Sequence, residues 1–324
     1  MFSLNIEKKQ DDVFQTHKKW DMLVIGGGPA GLNGALYAKR KGLSVGIIAK
    51  ETGGQLHNTS EVDNYLGFQN TTGEQLAHTF LSHVKALDVP VLQNQYVTSI
   101  VPMGHDYEVN LSNGVALISK TVLLTTGGKP RMLDVPGEKG YANKGVSYCT
   151  TRDAPFFKDK DVIVAGGGNS AAEAVIDLSV WAKSVTVVHR SKWRADQIIL
   201  DKLNRLKNVE VHLNTQILEI VGQDKMTGVK VLDKSTQTKR DIKADGIFIE
   251  IGTIPNSQLI EHLVETNEHK EVIVDDQQMT SRKGLFAAGD VTNQPFKQII
   301  ISAAEGAKAA LAATQYLTQE YKGE

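Results

Sequence analysis

The side chains with the most chemistry to offer stand close together. Cys149 is the only cysteine in 324 residues, and it opens the run Cys149-Thr150-Thr151-Arg152-Asp153, shortly before three consecutive glycines at 166, 167 and 168. A second thiol three residues beyond the first would complete a redox pair, in which one sulfur attacks and the other resolves. Arg152 holds that place, so an intrachain dithiol relay is excluded. Three readings of Cys149 stay open on residue type alone. It is a small buried hydrophobe, a thiolate favoured by the Arg152 cation, or one half of a mixed disulfide completed by a partner.

The second source of chemistry is glycine. Gly26, Gly28 and Gly31 have the G-x-G-x-x-G spacing, directly after the apolar run Met22-Leu23-Val24-Ile25 and before an alanine-rich stretch. In that context the first glycine permits a tight turn and the second lets backbone approach a pyrophosphate. The third allows close helix–strand packing, and the helix N-terminus faces the anion. Gly166, Gly168 and Ala171 repeat the pattern in its G-x-G-x-x-A form. An NAD site ends its second strand with a carboxylate for the ribose 2′-hydroxyl. Here that strand runs into His189, Arg190, Lys192 and Arg194, cations that suit a 2′-phosphate and favour NADPH over NADH. The plainer alternative is a solvated basic strand end.

These turns need strands and helices to hold them. Residues 21–50 and 161–189 each read as strand, glycine turn, helix and strand, a βαβ unit. "GLFAAGD" at 284–290 is a third strand and turn, leading into a long helix over "QIIISAAEGAKAALAATQYL". Between them, residues 107–128 and 209–252 alternate apolar with polar and carry Asn-Gly or Thr-Gly turns, which suggests β-meanders. The expected fold class is α/β, with two Rossmann-type three-layer domains and β-meander insertions. The chain should cross between domains near Gly127 and Gly252, giving a discontinuous first domain, 1–126 and 252–324, around an inserted one, 127–251.

Composition narrows the function. Hydrophobic residues at 41% and charged residues at 23% are those of a globular protein, and a net charge of −1 argues against a nucleic-acid binder. Apolar runs fall short of a membrane span, and the first twenty residues are too charged for a signal peptide, so a cytoplasmic protein is expected. One cysteine and nine histidines without H-x₃-H or H-E-x-x-H spacing leave no metal-ligand pattern.

Both glycine fingerprints, with "GGQL" at 53–56, "DNYLGF" at 63–68, "TTG" at 125–127 and "FAAGD" at 286–290, resemble the low-molecular-weight thioredoxin reductases. The similarity is greatest to the reductase module of alkyl hydroperoxide reductase flavoproteins. It spans nearly all of the chain beyond the first twenty residues. The resemblance implies FAD in the first domain and a nicotinamide dinucleotide in the second. For FAD it implicates Gly26, Gly28, Pro29, Ala30 and Gly31, then Gly54, Gln55, Leu56, Asn64, Thr126 and Gly127, and finally Gly289, Asp290, Gln298 and Ile299. Asp290 would accept from the ribityl chain, or else cap the following helix. For the nicotinamide dinucleotide it implicates Gly166, Gly168, Asn169, Ser170, Ala171, His189, Arg190, Arg194 and Gly252.

Members of that family carry Cys-x-x-Cys-Asp before the second glycine turn. Here Cys149 and Asp153 remain, and Arg152 replaces the thiol expected nearest the flavin, either as a solvated loop residue or, if it reaches the isoalloxazine, as a cation that would stabilise the reduced, anionic ring. The expected activity is hydride transfer from NADPH to FAD and on to a non-disulfide acceptor: a small iron–sulfur or flavin protein, a quinone or free flavin, or dioxygen. Cys149, Arg152 and Asp153 are the candidate catalytic residues. Two alternatives are a disulfide reductase using Cys149 with a partner's thiol, and a flavin-binding regulatory protein without turnover. The resemblance also implies a homodimer.

Overall fold

The computed structural model describes residues 13–17, 19–59 and 61–321, so most of the charged N-terminal stretch, which is unlike a signal peptide, lies outside the described residues. The chain divides into two compact units, Met1–Lys129 with Ile254–Glu324, and Pro130–Thr253.

Unit 1 is built on a seven-stranded sheet. Strand β1 (Trp20–Gly27) pairs in parallel with β2 (Val45–Thr52), and β2 with β3 (Val91–Gln93). Helix α1 (Pro29–Arg40) links the first two, and α2 (Gly73–Lys85) lies between the second and third. Met22, Leu23 and Val24 are fully buried, as expected of a parallel strand covered on both faces. On the other side of β1, β4 (Val97–Met103), β5 (Asp106–Leu111) and β6 (Ala116–Leu124) form the meander, turning at Asn113-Gly114. Strand β6 runs parallel to β1, and its outer edge is forked. Ala116–Ser119 pair with β5, whereas Val122–Leu124 pair with β17 (Leu285–Ala287) from the far end of the chain. The long helix α6 (Ile299–Glu320) packs on α1 so closely that a Cβ on Gly306 would lie 1.9 Å from the Ala30 carbonyl oxygen. Only glycine permits that approach.

The chain leaves and re-enters unit 1 through β7 (Gly128–Pro130) and β16 (Thr253–Pro255). Unit 2 holds a five-stranded parallel sheet ordered β11-β10-β9-β15-β8. Its strands are β8 (Val146–Ser147), β9 (Asp161–Ala165), β10 (Ser184–Val188), β11 (Val209–His212) and β15 (Gly246–Ile249). One-turn helix α3 (Thr150–Asp153) follows β8, α4 (Asn169–Trp181) joins β9 to β10, and α5 (Gln197–Leu203) precedes β11. The antiparallel meander is confined to β12 (Thr215–Gly222), β13 (Met226–Asp233) and β14 (Thr238–Lys243). This corrects the sequence-based meander over 209–252, whose first and last strands belong to the parallel sheet. All four residues of β15 are buried, the mark of a strand covered on both faces, and β11 pairs in parallel with β10 rather than with β12, the strand that follows it.

Each unit is thus a Rossmann-type α/β body with a β-meander attached. No helix among the described residues is long and apolar enough to cross a membrane.

Candidate functional site

The glycine turn of unit 1 joins β1 to α1. Gly26 has φ +118°, and a Cβ there would meet the Thr125 carbonyl oxygen at 2.3 Å, so no side chain fits. Gly31 is pressed against the turn itself, its Cβ position 2.1 Å from the Gly26 oxygen. Gly28 differs: a Cβ there would find no atom within 4 Å. It is also the N-cap of α1, with no side chain bonding the first-turn N–H groups and Pro29 in that turn. By contrast α2, away from any such turn, carries a full capping box in which Gln75 N donates to Thr72 Oγ1 and Thr72 N to Gln75 Oε1. An open space facing uncapped amide donors fits a pyrophosphate.

Several predicted positions gather at that space. Gly54 lies with its Cβ position 3.5 Å from Gly28 Cα, and neighbouring Gln55 donates from Nε2 to the Gly128 carbonyl at 2.8 Å and to Asp290 Oδ2 at 3.0 Å. Ser302 Oγ donates to Asp290 Oδ1 at 3.1 Å. Burial pushes the Asp290 carboxyl up, against the lowering effects of Ser302, Lys297 and Gln55. No helix starts between Asp290 and Ile299, whose cap is Gln298, so Asp290 caps no helix. Beneath it, Glu305 accepts from Gly289 N at 2.7 Å and fixes the turn that aims Asp290.

Other predicted residues serve the framework. Leu56 is buried with Val62, Leu76 and Ala77, and Ile299 packs on the same cluster. Ala30 is covered by α6, as its contact with Gly306 requires. Thr126 Oγ1 donates to the Asn256 carbonyl at 2.7 Å, and the neighbouring Gly127 carbonyl accepts from Asn256 N at 2.9 Å. Asn64 and Gln298 meet through a hydrogen bond of 3.2 Å.

The turn of unit 2 repeats the logic. Gly168 caps α4 without a side-chain bond, and a Cβ on it would find nothing within 4 Å. Gly166 is pressed on Ala171, and Ser170 is exposed on the first turn of α4. Asn169 is held by a reciprocal pair with Asp196: its Nδ2 donates to Oδ2 at 2.9 Å, and Asp196 N donates to its Oδ1 at 2.8 Å. His189 is buried at 5% exposure, and its ring fills the room that a Gly167 side chain would take, 2.2 Å from the Cβ position. Its Nε2 bonds Ser191 Oγ at 3.0 Å, and burial, then Arg194 and Arg190, lower its pKa. His189 therefore supports the turn from behind. Arg194 N donates to the Gly167 carbonyl at 2.7 Å, tying the strand end to the turn. The side chains of Arg190 and Arg194 are exposed and form no ion pair among the described residues. Gly252 accepts from Arg131 N at 2.9 Å, where the chain leaves the unit.

The Cys149 segment follows β8. Arg152 Nε donates to Asp153 Oδ1 at 2.5 Å and Nη2 to Oδ2 at 2.7 Å, with both side chains largely buried. Ser147 Oγ donates to the same carboxylate at 2.6 Å and accepts from Cys149 N at 3.1 Å. Burial pushes the Cys149 thiol up, with Arg152 acting in the opposite direction. Thr150 Oγ1 donates to Glu250 Oε1 at 2.8 Å, and burial raises the Glu250 carboxyl to about 7. Sequence reasoning missed Glu250, Glu305 and Ser302. The signal for Glu250 was a lone acid inside the apolar run Gly246-Ile247-Phe248-Ile249-Glu250-Ile251.

Two sets of parallel strands, one in each unit and each with a glycine turn feeding an uncapped helix, form the arrangement of two dinucleotide sites. A model of the pyridine nucleotide-disulphide oxidoreductase family matches residues 20–311. An alkyl hydroperoxide reductase polypeptide of Staphylococcus aureus is 41% identical over 305 residues, 94% of this chain and 60% of that protein. Its Pseudomonas putida counterpart is 42% identical over 317 residues, 97% and 61% respectively. Thioredoxin reductase from Streptococcus pyogenes superposes with a TM-score of 0.88 at 36% identity, covering 93% of this chain and 99% of that one. The chain belongs to the pyridine nucleotide-disulphide oxidoreductase family, as a thioredoxin reductase-like enzyme of the kind that uses FAD and NAD(P)H and without the paired cysteines. It spans about 60% of the length of the curated alkyl hydroperoxide reductase relatives.

Proposed function

We propose that this enzyme carries electrons from NADPH through FAD to an acceptor other than a protein disulfide. The observation that carries this is the Cys149 segment, where the single thiol is pushed up by burial and the place of its partner is taken by an arginine bonded to Asp153. A thiol with little thiolate and no resolving sulfur is a poor relay. The remaining acceptor classes are a small iron–sulfur or flavin protein, a quinone or free flavin, and dioxygen.

In unit 1, the Gly26–Gly31 turn would hold the FAD pyrophosphate, with Gly54, Gln55 and Asp290 alongside. In unit 2, the turn from Gly166 to Ala171 would hold the NADPH pyrophosphate, and Arg190 and Arg194 its 2′-phosphate. NADPH supplies a hydride and FAD accepts it, which is the chemistry the bound cofactors bring. Gln55 keeps Asp290 oriented and Glu305 holds Gly289, and the Asp290 carboxylate would accept from the ribityl chain. By the same family likeness we read the protein as a cytoplasmic homodimer.

Anaerobic stopped-flow mixing with NADPH tests the first half: the yellow flavin absorbance should bleach within a turnover. Presenting the reduced protein with a panel of acceptors tests the second. Thioredoxin-type disulfides reoxidising it faster than every other class, with loss of that activity in Cys149→Ser, would sink the proposal in favour of the disulfide reductase. Failure to bleach with either nucleotide would favour the regulatory flavin binder.

A further inference from the structure

We propose that Glu250 is a proton-linked positioning residue of the unit 2 dinucleotide site, taking up a proton as the pyrophosphate binds, a role that presupposes the nucleotide site assigned to unit 2 above. The residue stands immediately after β15, whose last register pair is Ile249 with Ala165 at the end of β9, and Glu250 N donates to the Ala165 carbonyl at 2.8 Å. From β9 the chain passes through α4 to β10 on one side, while β15 and β8 lie on the other. Strand order reverses there, and ligands of open parallel sheets lodge in the crevice at the carboxyl ends of such strands. The backbone of Glu250 also backs the glycine turn, its carbonyl oxygen 2.2 Å from the Cβ position of Gly166.

On balance the surroundings of the carboxyl favour its neutral form, burial outweighing the hydrogen bonds from Thr150, whose hydroxyl donates to it at 2.8 Å and favours the carboxylate. Asp177 faces it from α4, and its own carboxyl is likewise raised by burial. Cys149 faces it from the segment after β8, and the cation of that segment, Arg152, is bound to Asp153. Burial, the largest influence, sets the carboxyl near 7, so its ionised fraction changes through the neutral range. A pyrophosphate at the adjacent N-terminus of α4 adds negative charge beside it and disfavours ionisation further. Binding and protonation are then coupled with a fixed sign: affinity is greatest with Glu250 neutral and falls as pH rises. The same hydroxyl joins Glu250 to the Cys149 segment, so its proton also sets how firmly α3 is held.

Calorimetric titration of the flavin-loaded protein with NADP⁺, in two buffers of different ionisation enthalpy, reads the proton directly. The wild type should take up a substantial fraction of a proton at pH 7, and its affinity should fall by up to about tenfold per pH unit above that. Glu250→Gln should abolish this component. The 2′-phosphate of NADP⁺ and His189 also titrate but remain in both proteins, so the difference isolates Glu250. Thr150→Val removes a donor to the carboxylate and should move the midpoint to higher pH, an effect that a merely structural role would not produce. Equal proton uptake and parallel pH profiles in wild type and Glu250→Gln overturn the proposal. If that variant does not fold, an unmoved midpoint in Thr150→Val does the same. Absence of NADP⁺ binding by the wild type at any pH, with flavin still bound, overturns instead the assignment of the site.

Discussion

Arg152 reaches sideways to its own neighbour, placing Nε 2.5 Å from Asp153 Oδ1 and Nη2 2.7 Å from Oδ2. Ser147 is bonded to the same carboxylate and to Cys149 N, so hydrogen bonds tie the segment from 147 to 153 together around the Arg152–Asp153 ion pair.

Arg152→Ala should therefore act on stability. It leaves a largely buried carboxylate without its cation, at a cost of about 2–3 kcal/mol. Urea unfolding of single and double variants at 152 and 153 measures it, and the double variant should lose clearly less than the sum. Arg152→Lys should recover little, because an ammonium cannot make the fork. Additive losses would show the pair to be uncoupled.

Gly28→Ala and Gly31→Ala should part company. At Gly28 the backbone is extended and an added methyl meets nothing, so the flavin-free protein should keep its stability to within about 0.5 kcal/mol. The methyl occupies the space assigned to the pyrophosphate, so retention of FAD on gel filtration should drop. At Gly31 the methyl strikes the Gly26 carbonyl, and folding itself should suffer. Full FAD retention by Gly28→Ala would remove the pyrophosphate from that space.

Arg190→Ala should lower the preference for NADPH over NADH. A charge-assisted bond to a phosphate contributes on the order of 1.5–3 kcal/mol, enough for at least a tenfold change in the ratio of kcat/KM values. Arg194→Ala should act in the same direction. A ratio unchanged in both variants means the exposed guanidinia do not face the 2′-phosphate.

Cys149 should label slowly. Burial raises its thiol, so less thiolate is present at pH 7 than for a free cysteine, and the rate should climb as pH rises toward the folded value. Reaction with an aromatic disulfide reagent, native against urea-unfolded, should show at least about a tenfold difference. Equal rates would make the thiol accessible and reactive, and would revive the mixed-disulfide alternative.

What the sequence displayed and what it hid divide along physical lines. The glycine turns were legible because spacing alone encodes a tight turn and close packing, both local properties. Strands β11 and β15 were not, because "VEVH" alternates like a meander strand and only its parallel pairing with β10, across the helical connection α5, reveals the parallel sheet. His189 looked like a ligand beside two arginines, yet its ring replaces the side chain that Gly167 lacks, a contact between residues more than twenty positions apart. Asp290 as a helix cap failed for a similar reason, since the loop after it runs on to Gln298. Glu250 was hidden because an acid at a strand end is usually solvated, and its burial depends on Thr150 and α4.

The forked edge of β6 bears on how the chain comes off the ribosome. Its Val122–Leu124 half finds its neighbour only when Leu285–Ala287 has been made, whereas every strand of the intervening parallel sheet lies between Val146 and Ile249. Domains generally fold as units while synthesis proceeds, so the inserted unit matures first and the one that encloses it in sequence closes last. During that interval the open edge, flanked by side chains buried in the finished protein, is a template for wrong pairing. Nascent chains stopped before residue 285 should consequently be the species that chaperones engage and that aggregates when they are absent.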